Sequence, residues 1–587
     1  MEASECVRAF APPTAPPLVA FGRPSSSASF QRRAPPSSTA STSATSVSAL
    51  HASRDLNALA SELNAAIDAC TPTYFKNMRV KVAPSPSSSA DSPARRLGLI
   101  AIEDIKPNKV ALSVPYDDQI VLSASLAGDV WGDVLPEGYD GWTGERGLIA
   151  LLVLNELAKA SDDGGGDAAG GASGIDLPAR KPEAKNLMAA WVKSLPSPEE
   201  MSEDGENGGI CPHPLLWSED DQELLQGSST KKIYRTLDDI DEDSAWLNER
   251  VWSAADRTAK FPSEITLDGD GETTRACFSP EGFRWANAIV SSRAVYVDGA
   301  LRLIPVLDMI NHDDLNTEEV RGGYAGAFGT TPCAELRTSS RKYNAGEEVC
   351  ASYGPLSAAE YLSDYGFIPS RAESIAVSEL TFEVSSDDRF YDDKLDVLEF
   401  ETYDSSPMDP VQKFDVVHQA GQPDDVPDPA LMQFLRLSKL DGKDAFLLES
   451  IFRKEVWGFM SVPVSEMNEG MAVDAVMEAC RVALGEMDET EESAISSSSS
   501  SGDGDDDDSA STSPAALCAV VRRAERKALT RTLEYMERER MALDLKEYYQ
   551  ERRLKDLGLD SEWNDDDENS DVGWGQTRAP GSGDLDW

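Results

Sequence analysis

The segment RLIPVLDMINHDD, residues 302–314, joins an apolar run to a polar end. The run begins at Leu303, contains one acid, Asp308, and ends at Asn311-His312, an amide beside an imidazole. Such a run predicts a buried strand and turn. An isolated Asn-His pair is more often a satisfied structural pair than a ligand site, so its neighbourhood has to decide between the two.

A second segment, GEEVCASYGPLSAAEYLSDYGFIP at 346–369, predicts a strand, a Gly-Pro turn and a helix. Tyr353 lies at the end of the predicted strand, and Tyr365 follows twelve residues later. Arg293 precedes both segments in the motif SSRAV. A lone Tyr-Gly is usually a turn, but the order of these motifs in one region favours a functional site.

Composition narrows the possible functions. The chain has 587 residues, enough for two or three domains, and 104 acids against 54 bases give it a net charge of −50. That charge argues against binding to nucleic acid or anionic membranes and favours a lysine-rich protein partner. The sequence has no run of 18 apolar residues, so we expect no transmembrane helix. The eight Cys form no CxxC pair and the four His lack ligand spacing, so we expect no metal site.

The first 54 residues have the composition of a targeting peptide. They are rich in Ser, Thr, Ala and Pro, contain Arg, and have Glu2 and Glu5 as their only acids. We expect residues 1–54 to be a plastid transit peptide. A disordered, acid-poor tail is the alternative.

Beyond residue 371 the sequence favours helices. KDAFLLESIFRKEVWGFM (443–460) predicts one long amphipathic helix, and a further long helix is expected to begin near Pro514. The Ser- and Asp-rich block at 496–509 predicts a disordered stretch. Strands in the first part and helices in the second predict an α+β chain.

Three long strings identify a family. They are WSEDDQELLQGS (217–228), DAFLLESIFRKEVWGF (444–459) and EYYQERRLKDLGL (547–559). Together with the Asn-His and Ser-Tyr-Gly motifs, they make the chain resemble SET-domain protein-lysine methyltransferases, specifically the plastid Rubisco large-subunit methyltransferase group. The resemblance covers roughly residues 75 to 560.

The resemblance implies a domain organisation. It implies a SET-domain β fold, in which the Asn-His segment threads under a loop as a pseudoknot, followed by an all-α domain of the Rubisco LSMT substrate-binding type. The expected bounds are 75–371 for the SET domain with a helical insertion at about 145–285, 380–560 for the helical domain with a disordered acidic insertion at 488–512, and 561–587 for an acidic disordered tail.

The resemblance also implies the site residues, with S-adenosylmethionine as the methyl donor. Tyr353 matches the catalytic tyrosine, and Asp308 and Tyr365 match residues that line the lysine channel. The residues expected to bind the donor are Arg96, Leu97, Arg293, Asn311 and His312, the last two through backbone and side-chain groups largely around the adenine. No metal is implied.

The chain departs from the family pattern at a few positions. Arg96 replaces the first glycine of the donor loop, and Val295 and Val297 replace an aromatic residue and an arginine. The first change bears on donor binding, and the other two bear on the choice of substrate.

The function implied is S-adenosylmethionine-dependent methylation of an exposed lysine on a protein of the plastid stroma, such as the Rubisco large subunit or fructose-bisphosphate aldolase. A monomer is favoured, without nucleic-acid or membrane partners. Two alternatives stay open: a weakly catalytic or non-catalytic SET-like scaffold in a plastid protein assembly, and a protein-histidine methyltransferase.

Overall fold

The computed structural model describes most of the chain between residues 55 and 556. The described residues are 55–86, 96–135, 141–162, 174–175, 180–202, 212–253, 260–267, 274–316, 318–326, 329–372, 375–400, 409–419, 426–498 and 513–556. The predictions for 1–54, 499–512 and 561–587 lie outside these residues.

Helices account for more of the described chain than strands do. In chain order they are α1 (Leu56–Cys70), α2 (Ala124–Trp131), α3 (Gly144–Asp162), α4 (Pro182–Ser194), α5 (Pro198–Met201), α6 (Glu219–Gln222), α7 (Lys232–Leu247), α8 (Pro280–Arg293), α9 (Ala358–Tyr365), α10 (Tyr391–Phe400), α11 (Pro429–Ser438), α12 (Val456–Phe459), α13 (Glu466–Ser498), α14 (Pro514–Met541) and α15 (Tyr549–Asp556).

The strands are short and form several small sheets. They are β1 (Val80–Pro84), β2 (Leu97–Ala101), β3 (Val110–Pro115), β4 (Leu122–Ser123), β5 (Glu264–Thr266), β6 (Thr274–Ala276), β7 (Val295–Val297), β8 (Ala300–Leu303), β9 (Glu319–Ala325), β10 (Thr331–Arg337), β11 (Ile375–Glu383) and β12 (Val411–Gln419). The described sheets have the orders β1-β2, β3-β10-β9, β4-β8-β7, β5-β6 and β11-β12. Together with the helices, they confirm the predicted α+β class.

The chain divides into two compact units. The first is drawn from Met1–Thr381, Lys413–Pro427 and Glu478–Tyr535, and the second from Phe382–Gln412, Asp428–Met477 and Met536–Trp587.

The core of the first unit is built around α3. Its residues from Ile149 to Leu154 are all fully buried, as the dense apolar sequence predicts, and α3 packs against α4 and α8. Helix α8 begins at Pro280 after Ser279, whose hydroxyl accepts the Gly282 N–H at 3.1 Å. This core supports β7 and β8, which lead directly into the Asn-His segment.

The second unit is mainly helical and contains a buried ion cluster. Arg436 on α11 donates to Glu469 on α13 through Nε at 2.6 Å and a terminal nitrogen at 3.0 Å. Lys546 donates to the same carboxylate at 2.9 Å. The pKa of Glu469 lies below its usual value because these hydrogen bonds and charges outweigh its desolvation.

Three expectations for the C-terminal region are corrected. The range 380–560 is not all-α, because β12 lies within it and its Val416 and His418 are buried on alternate positions of a strand. Helix α13 runs to Ser498, into the stretch expected to be disordered from residue 488. The predicted helix at 443–460 is a 3-10 turn (Asp444–Leu448), an irregular segment and α12.

The break before α12 has a visible packing basis. Arg453, in the irregular segment, donates to Asp393 at 2.8 Å and to Asp396 at 2.6 Å, both on α10. Phe446 and Phe452 pack edge to face with centroids 5.9 Å apart. Tertiary contacts of this kind override a helical apolar pattern.

No described helix is long and apolar enough to cross a membrane. In the described part of the chain, no group of three or more His, Cys, Asp or Glu side chains could hold a metal ion.

Candidate active site

A strained turn delivers the Asn-His segment to the site. Val306 has φ +75° and ψ −47°, a γ-turn-like conformation that a β-branched residue rarely adopts and that costs about 1–3 kcal/mol. The turn is closed by main-chain hydrogen bonds from Asp308 to Ile304 at 2.9 Å and from Met309 to Val306 at 3.2 Å. The structure therefore has the expected strand (β8) and turn ahead of Asn311.

The segment then pairs with the residues just before Tyr353, where the expected strand is reduced to isolated bridges at Glu348 and Ala351. The Ala351 N–H donates to the Asn311 carbonyl at 2.9 Å, and the Asp313 N–H donates to the Ala351 carbonyl at 3.2 Å. His312 is the middle residue of this isolated parallel bridge. Because its neighbours make the bridge, the main-chain N–H and C=O of His312 itself point to the opposite side.

The side-chain amide of Asn311 is held in one orientation. Its Nδ2 donates to the Leu97 carbonyl at 3.1 Å and to Glu348 Oε1 at 2.7 Å. The hydroxyl of Ser85 donates to the other oxygen of Glu348 at 2.8 Å. With both amide hydrogens used, the Asn311 carbonyl oxygen is turned away from these partners as an acceptor for a ligand.

Gly98 is required beside this amide. A Cβ at Gly98 would lie 2.2 Å from Glu348 Oε1 and 2.8 Å from Asn311 Nδ2. No other residue fits without displacing these two groups. Arg96 lies two residues earlier, immediately before β2, and its carbonyl accepts the Ser85 N–H at 2.8 Å. Its charge lowers the pKa of Cys350, while burial of that thiol has the larger effect and raises its pKa to about 12.

The His312 ring is bound within the protein. Its Nδ1 accepts the Tyr353 main-chain N–H at 3.2 Å, and its Nε2 lies 3.1 Å from Asp314 Oδ1. Tyr361 and Phe367 pack against it, with centroids 5.2 and 5.9 Å away. Both ring nitrogens thus have partners within the protein, and the contact of His312 with the adenine stays a prediction.

Tyr353 lies in a cluster of aromatic rings. Its hydroxyl donates to the Ile310 carbonyl at 2.6 Å, and its ring lies 4.6 Å from that of Tyr365. Phe367 completes this wall, 6.3 Å from Tyr353 and 6.2 Å from Tyr365. The glycine at the end of α9, Gly366, adopts φ +76°, which turns the chain so that Phe367 joins the cluster.

The neighbouring phenols are neutral over the working pH range. Burial raises the pKa of Tyr361 to about 12, and its hydroxyl donates to the Gly354 carbonyl at 2.7 Å. Burial and the nearby Asp364 carboxylate raise the pKa of Tyr365 well above its usual value. An uncharged aromatic wall of this kind favours the neutral form of an amine that enters it.

The Asp308 side chain bonds to Trp191 and Arg293. Its carboxylate is completely buried, and Oδ2 accepts the indole N–H of Trp191 at 3.0 Å. Arg293 donates to the same oxygen at 3.4 Å and to the Asp308 carbonyl at 3.2 Å. Burial raises the pKa of Asp308, and the Arg293 charge opposes that shift. Its side chain therefore anchors Arg293, and its role in a lysine channel stays a prediction.

Contacts link seven of the eight predicted site residues around the segment 308–312. Leu97 bonds to Asn311, Arg293 bonds to Asp308, Tyr353 bonds to Ile310 and His312, and the ring of Tyr365 lies against that of Tyr353. Arg96 is connected to this group only as the sequence neighbour of Leu97. Trp191, Glu348 and Asp314 were missed by sequence reasoning. The last two stand in acid pairs, Glu347-Glu348 and Asp313-Asp314, which look like solvated surface. All four acids are half-buried, and no sequence signal shows which member of each pair bonds to Asn311 or His312.

Comparison with known proteins agrees with the geometry. The family model "Rubisco LSMT substrate-binding" matches residues 385–529. The chain is 34% identical over 475 residues to the chloroplastic Rubisco large subunit N-methyltransferase of Pisum sativum, covering 79% of this chain and 80% of the relative. It is 30% identical over 484 residues to the chloroplastic fructose-bisphosphate aldolase-lysine N-methyltransferase of Arabidopsis thaliana, covering 80% and 83%.

Solved structures extend the agreement to the fold. The SET domain of LSMT bound to lysine and AdoHcy superposes with a TM-score of 0.61 at 27% identity, covering 86% of this chain and 97% of that one. Rubisco LSMT bound to AdoMet superposes with a TM-score of 0.59 at 27% identity, covering 86% and 98%. The chain thus belongs to the SET-domain protein-lysine N-methyltransferases of the Rubisco large-subunit methyltransferase family.

Proposed function

We propose that this protein transfers the methyl group of S-adenosylmethionine to a lysine side chain of a plastid protein. One observation carries the proposal: the Tyr353 hydroxyl lies 2.6 Å from the Ile310 carbonyl, within the aromatic cluster and next to Asn311. The Tyr353 hydroxyl and the neutral rings around it suit an amine that accepts the methyl group. The adjoining segment at Asn311-His312 suits the methyl donor, so the two substrates would meet at one point.

The groups on the donor side fit S-adenosylmethionine. The main-chain N–H and C=O of His312 supply one donor and one acceptor, as the edge of an adenine requires. The side-chain oxygen of Asn311, Oδ1, suits an ammonium group, and the Arg293 guanidinium suits a carboxylate. Leu97 and Arg96 are proposed to approach the donor through their backbone. When bound, S-adenosylmethionine supplies an electrophilic methyl group on a sulfonium.

The aromatic side prepares the nucleophile. A free lysine has a pKa of about 10.4, so its ammonium must lose a proton before its nitrogen can form the C–N bond as the C–S bond breaks. The rings of Tyr353, Tyr365 and Phe367 exclude water and so favour the neutral amine. Tyr353 and the carbonyls near it orient the nitrogen, and positioning supplies most of the rate. Asp308 is proposed to act on this side through Arg293 and its own carbonyl.

Two finer structural statements belong to this proposal. We assign the crossing of segment 311–313 with the residues before Tyr353 to the threaded pseudoknot of SET domains, supported by the bridge at His312 and Ala351. We also retain 75–371 as the SET domain with its insertion at 145–285, and a substrate-recognition region from about residue 380, supported by the family match at 385–529.

The substrate is proposed to be a protein of the plastid stroma. Relatives named for the Rubisco large subunit and for fructose-bisphosphate aldolase, both termed chloroplastic, make these two proteins the first candidates. The net charge of −50 favours a target lysine in a basic surrounding. We expect the protein to act as a monomer on such a target.

One residue favours a second function. Arg96 stands where the family has glycine, and a bulky cation beside the donor loop would suit a scaffold that has lost donor binding. Its carbonyl hydrogen bond to Ser85 keeps the loop in place, and Gly98 retains the close approach. These contacts favour the enzyme over the scaffold.

The test combines binding and transfer. Calorimetry with S-adenosylmethionine measures donor binding, and labelling of a stromal extract followed by mass spectrometry identifies the modified residue, which also separates lysine from histidine. Tyr353→Phe is expected to lower labelling by about 100-fold while donor binding persists. The matched control Tyr324→Phe, on β9 and 69% exposed, should leave labelling unchanged. Failure of the wild-type protein to bind the donor would establish the scaffold instead.

A further inference from the structure

A hydrogen-bonded chain leads from Tyr353 through His312 to Arg371. Tyr353 N–H donates to His312 Nδ1 at 3.2 Å, and His312 Nε2 lies 3.1 Å from Asp314 Oδ1. The second oxygen of Asp314 accepts the Arg371 main-chain N–H at 3.0 Å. Only the first of these hydrogen bonds involves the proposed catalytic tyrosine. The bonds from His312 to Asp314 and from Asp314 to Arg371 therefore need an explanation of their own.

The chemistry of the first bond determines the protonation of the ring. A main-chain N–H can only donate, so His312 Nδ1 must present a lone pair to Tyr353. A neutral imidazole carries one proton, which therefore lies on Nε2 and is donated to Asp314. In the other tautomer, Nδ1–H and the Tyr353 N–H would face each other as two donors.

Burial makes this choice of tautomer important. The side chain of His312 is only 5% exposed, and the rings of Tyr353, Tyr361 and Phe367 surround it. Water therefore has little access to replace a lost bond, and an unpaired buried donor costs about 1–3 kcal/mol. The ionised carboxylate of Asp314 only accepts, so it excludes the wrong tautomer.

Asp314 is itself held in place from the loop that follows α9. Besides the main-chain bond, a guanidinium nitrogen of Arg371 donates to the Asp314 carbonyl at 3.1 Å. Two bonds from one residue fix both the backbone and the side chain of Asp314. The carboxylate is thereby presented to the ring in a set direction.

We propose that Asp314 is a positioning residue for methyl transfer. It holds His312 as the Nε2-protonated tautomer, and through the Nδ1 lone pair it fixes the main chain of Tyr353. The Tyr353 hydroxyl then meets the Ile310 carbonyl at the correct place. This inference rests on the proposed function for its effect on rate, whereas the tautomer of His312 is independent of any activity.

The experiment reads the tautomer directly. The chain has four His, so imidazole ¹⁵N spectra of the full-length protein stay simple, and a His312→Gln sample identifies the signal of His312. The wild-type protein is expected to show a protonated Nε2 and an unprotonated Nδ1. A protonated Nδ1 in the wild-type protein overturns the proposal without recourse to any variant.

Asp314→Asn tests the link to catalysis. Its amide can turn an N–H toward Nε2 while its oxygen keeps the Arg371 bond, so part of the ring population should shift to Nδ1–H. We expect kcat to fall about tenfold, with the Kd for S-adenosylmethionine nearly unchanged. Asp313→Asn is the matched control, since its carboxylate accepts the Leu315 N–H at 2.9 Å and lies 3.7 Å from Arg341. An unchanged tautomer and an unchanged kcat in Asp314→Asn refute the proposal.

The two levels of failure are distinguishable. If the wild-type protein has the expected tautomer but labels no substrate, the proposed function fails and the assignment of the tautomer stands. If labelling proceeds normally while Asp314→Asn changes only the tautomer, the positioning role fails and the proposed function stands.

Discussion

Glu348 fixes the orientation of the Asn311 side-chain amide. Asn311 can offer its carbonyl oxygen to a ligand only while its nitrogen is bound by Leu97 and Glu348. Glu348→Gln introduces an amide that can donate to Asn311 and allow it to flip. We expect the Kd for S-adenosylmethionine to rise about tenfold, the equivalent of about 1.4 kcal/mol, measured by calorimetry.

The neighbouring acid provides the control for that prediction. Glu347 is also half-buried, but it binds Asn344, and hydrogen bonds from that residue lower its pKa. Glu347→Gln should leave the donor Kd unchanged. Equal effects of the two substitutions would show that Asn311 is not held by Glu348.

Trp191 binds Asp308, at the other end of the segment 308–312, and provides a second prediction for a single residue. Trp191→Phe keeps a buried ring but removes the N–H that binds Asp308. The buried carboxylate then loses a partner, so we expect a loss of about 1–3 kcal/mol in stability, seen as a lower unfolding midpoint. Trp142→Phe, at an exposed tryptophan, should not change the midpoint; a similar drop in both variants would contradict the role of the hydrogen bond.

At this scale, sequence reasoning succeeds where polarity conflicts with its surroundings. Asn311, His312 and Tyr353 stand out because they end apolar segments. Glu348 and Asp314 could not be found, because each lies next to a second acid and a pair of acids normally predicts a solvated surface. Contacts between residues as distant in sequence as Leu97 and Asn311 require the fold.

Helix α14 carries a buried acid whose titration affects stability. Glu525 is 2% exposed and accepts the Ser229 main-chain N–H at 3.0 and 3.1 Å. Burial raises its pKa to about 7, against the opposing effect of the Ser229 hydrogen bonds. The folded protein therefore holds this proton more tightly than the unfolded chain does, and stability falls as pH rises from about 4.5 to about 7.

Glu525→Gln should remove this dependence. Because ionising the buried acid above pH 7 weakens the folded state, and a tenfold change in proton affinity is worth about 1.4 kcal/mol, the variant should unfold at a higher midpoint than the wild-type protein at pH 8 and at a similar one near pH 4.5. Denaturant titrations at several pH values measure it. Glu534→Gln, at an exposed acid on the same helix, should keep the pH dependence of the unfolding midpoint that the wild-type protein has. The same pH dependence in all three proteins would refute the prediction.

Elements were predicted best where local signals and packing agree. Helices α3 and α8 have dense apolar sequences, and α8 also has a Ser279-Pro280 start, so local signals and packing agree there. The region 443–460 has the same apolar pattern, yet Arg453 and its partners on α10 favour a broken path. Strand β12 was missed because its alternation is carried by only two fully buried residues.

Net charge governs the whole-molecule prediction. An enzyme with a charge of −50 should attract a basic target over distances of about 10 Å, and salt screens that attraction. We expect kcat/KM for a protein substrate to fall several-fold between about 0.02 and 0.2 M salt, while kcat at saturation stays constant. The donor Kd under the same conditions is the control. A salt-independent kcat/KM would show that the charge plays no part in recognition.

At the scale of the molecule, the sequence indicated the class of the chain and its helical second half, but not its division into units. The residues of each unit come from three separate stretches, because the chain returns to the first unit at Lys413 and again at Glu478. Such returns depend on long-range contacts that have no local signal.

The bond between Tyr353 and the Ile310 carbonyl has a kinetic consequence. Ile310 is joined by a single peptide link to Asn311, so the Tyr353 phenol and the Asn311 side chain are attached to one short length of backbone. A ligand that moves this backbone at Asn311 also moves the Ile310 carbonyl that Tyr353 binds, and the reverse holds as well. The methyl donor and the lysine substrate should therefore bind cooperatively. A donor analogue that leaves this backbone in place should raise the affinity for the lysine.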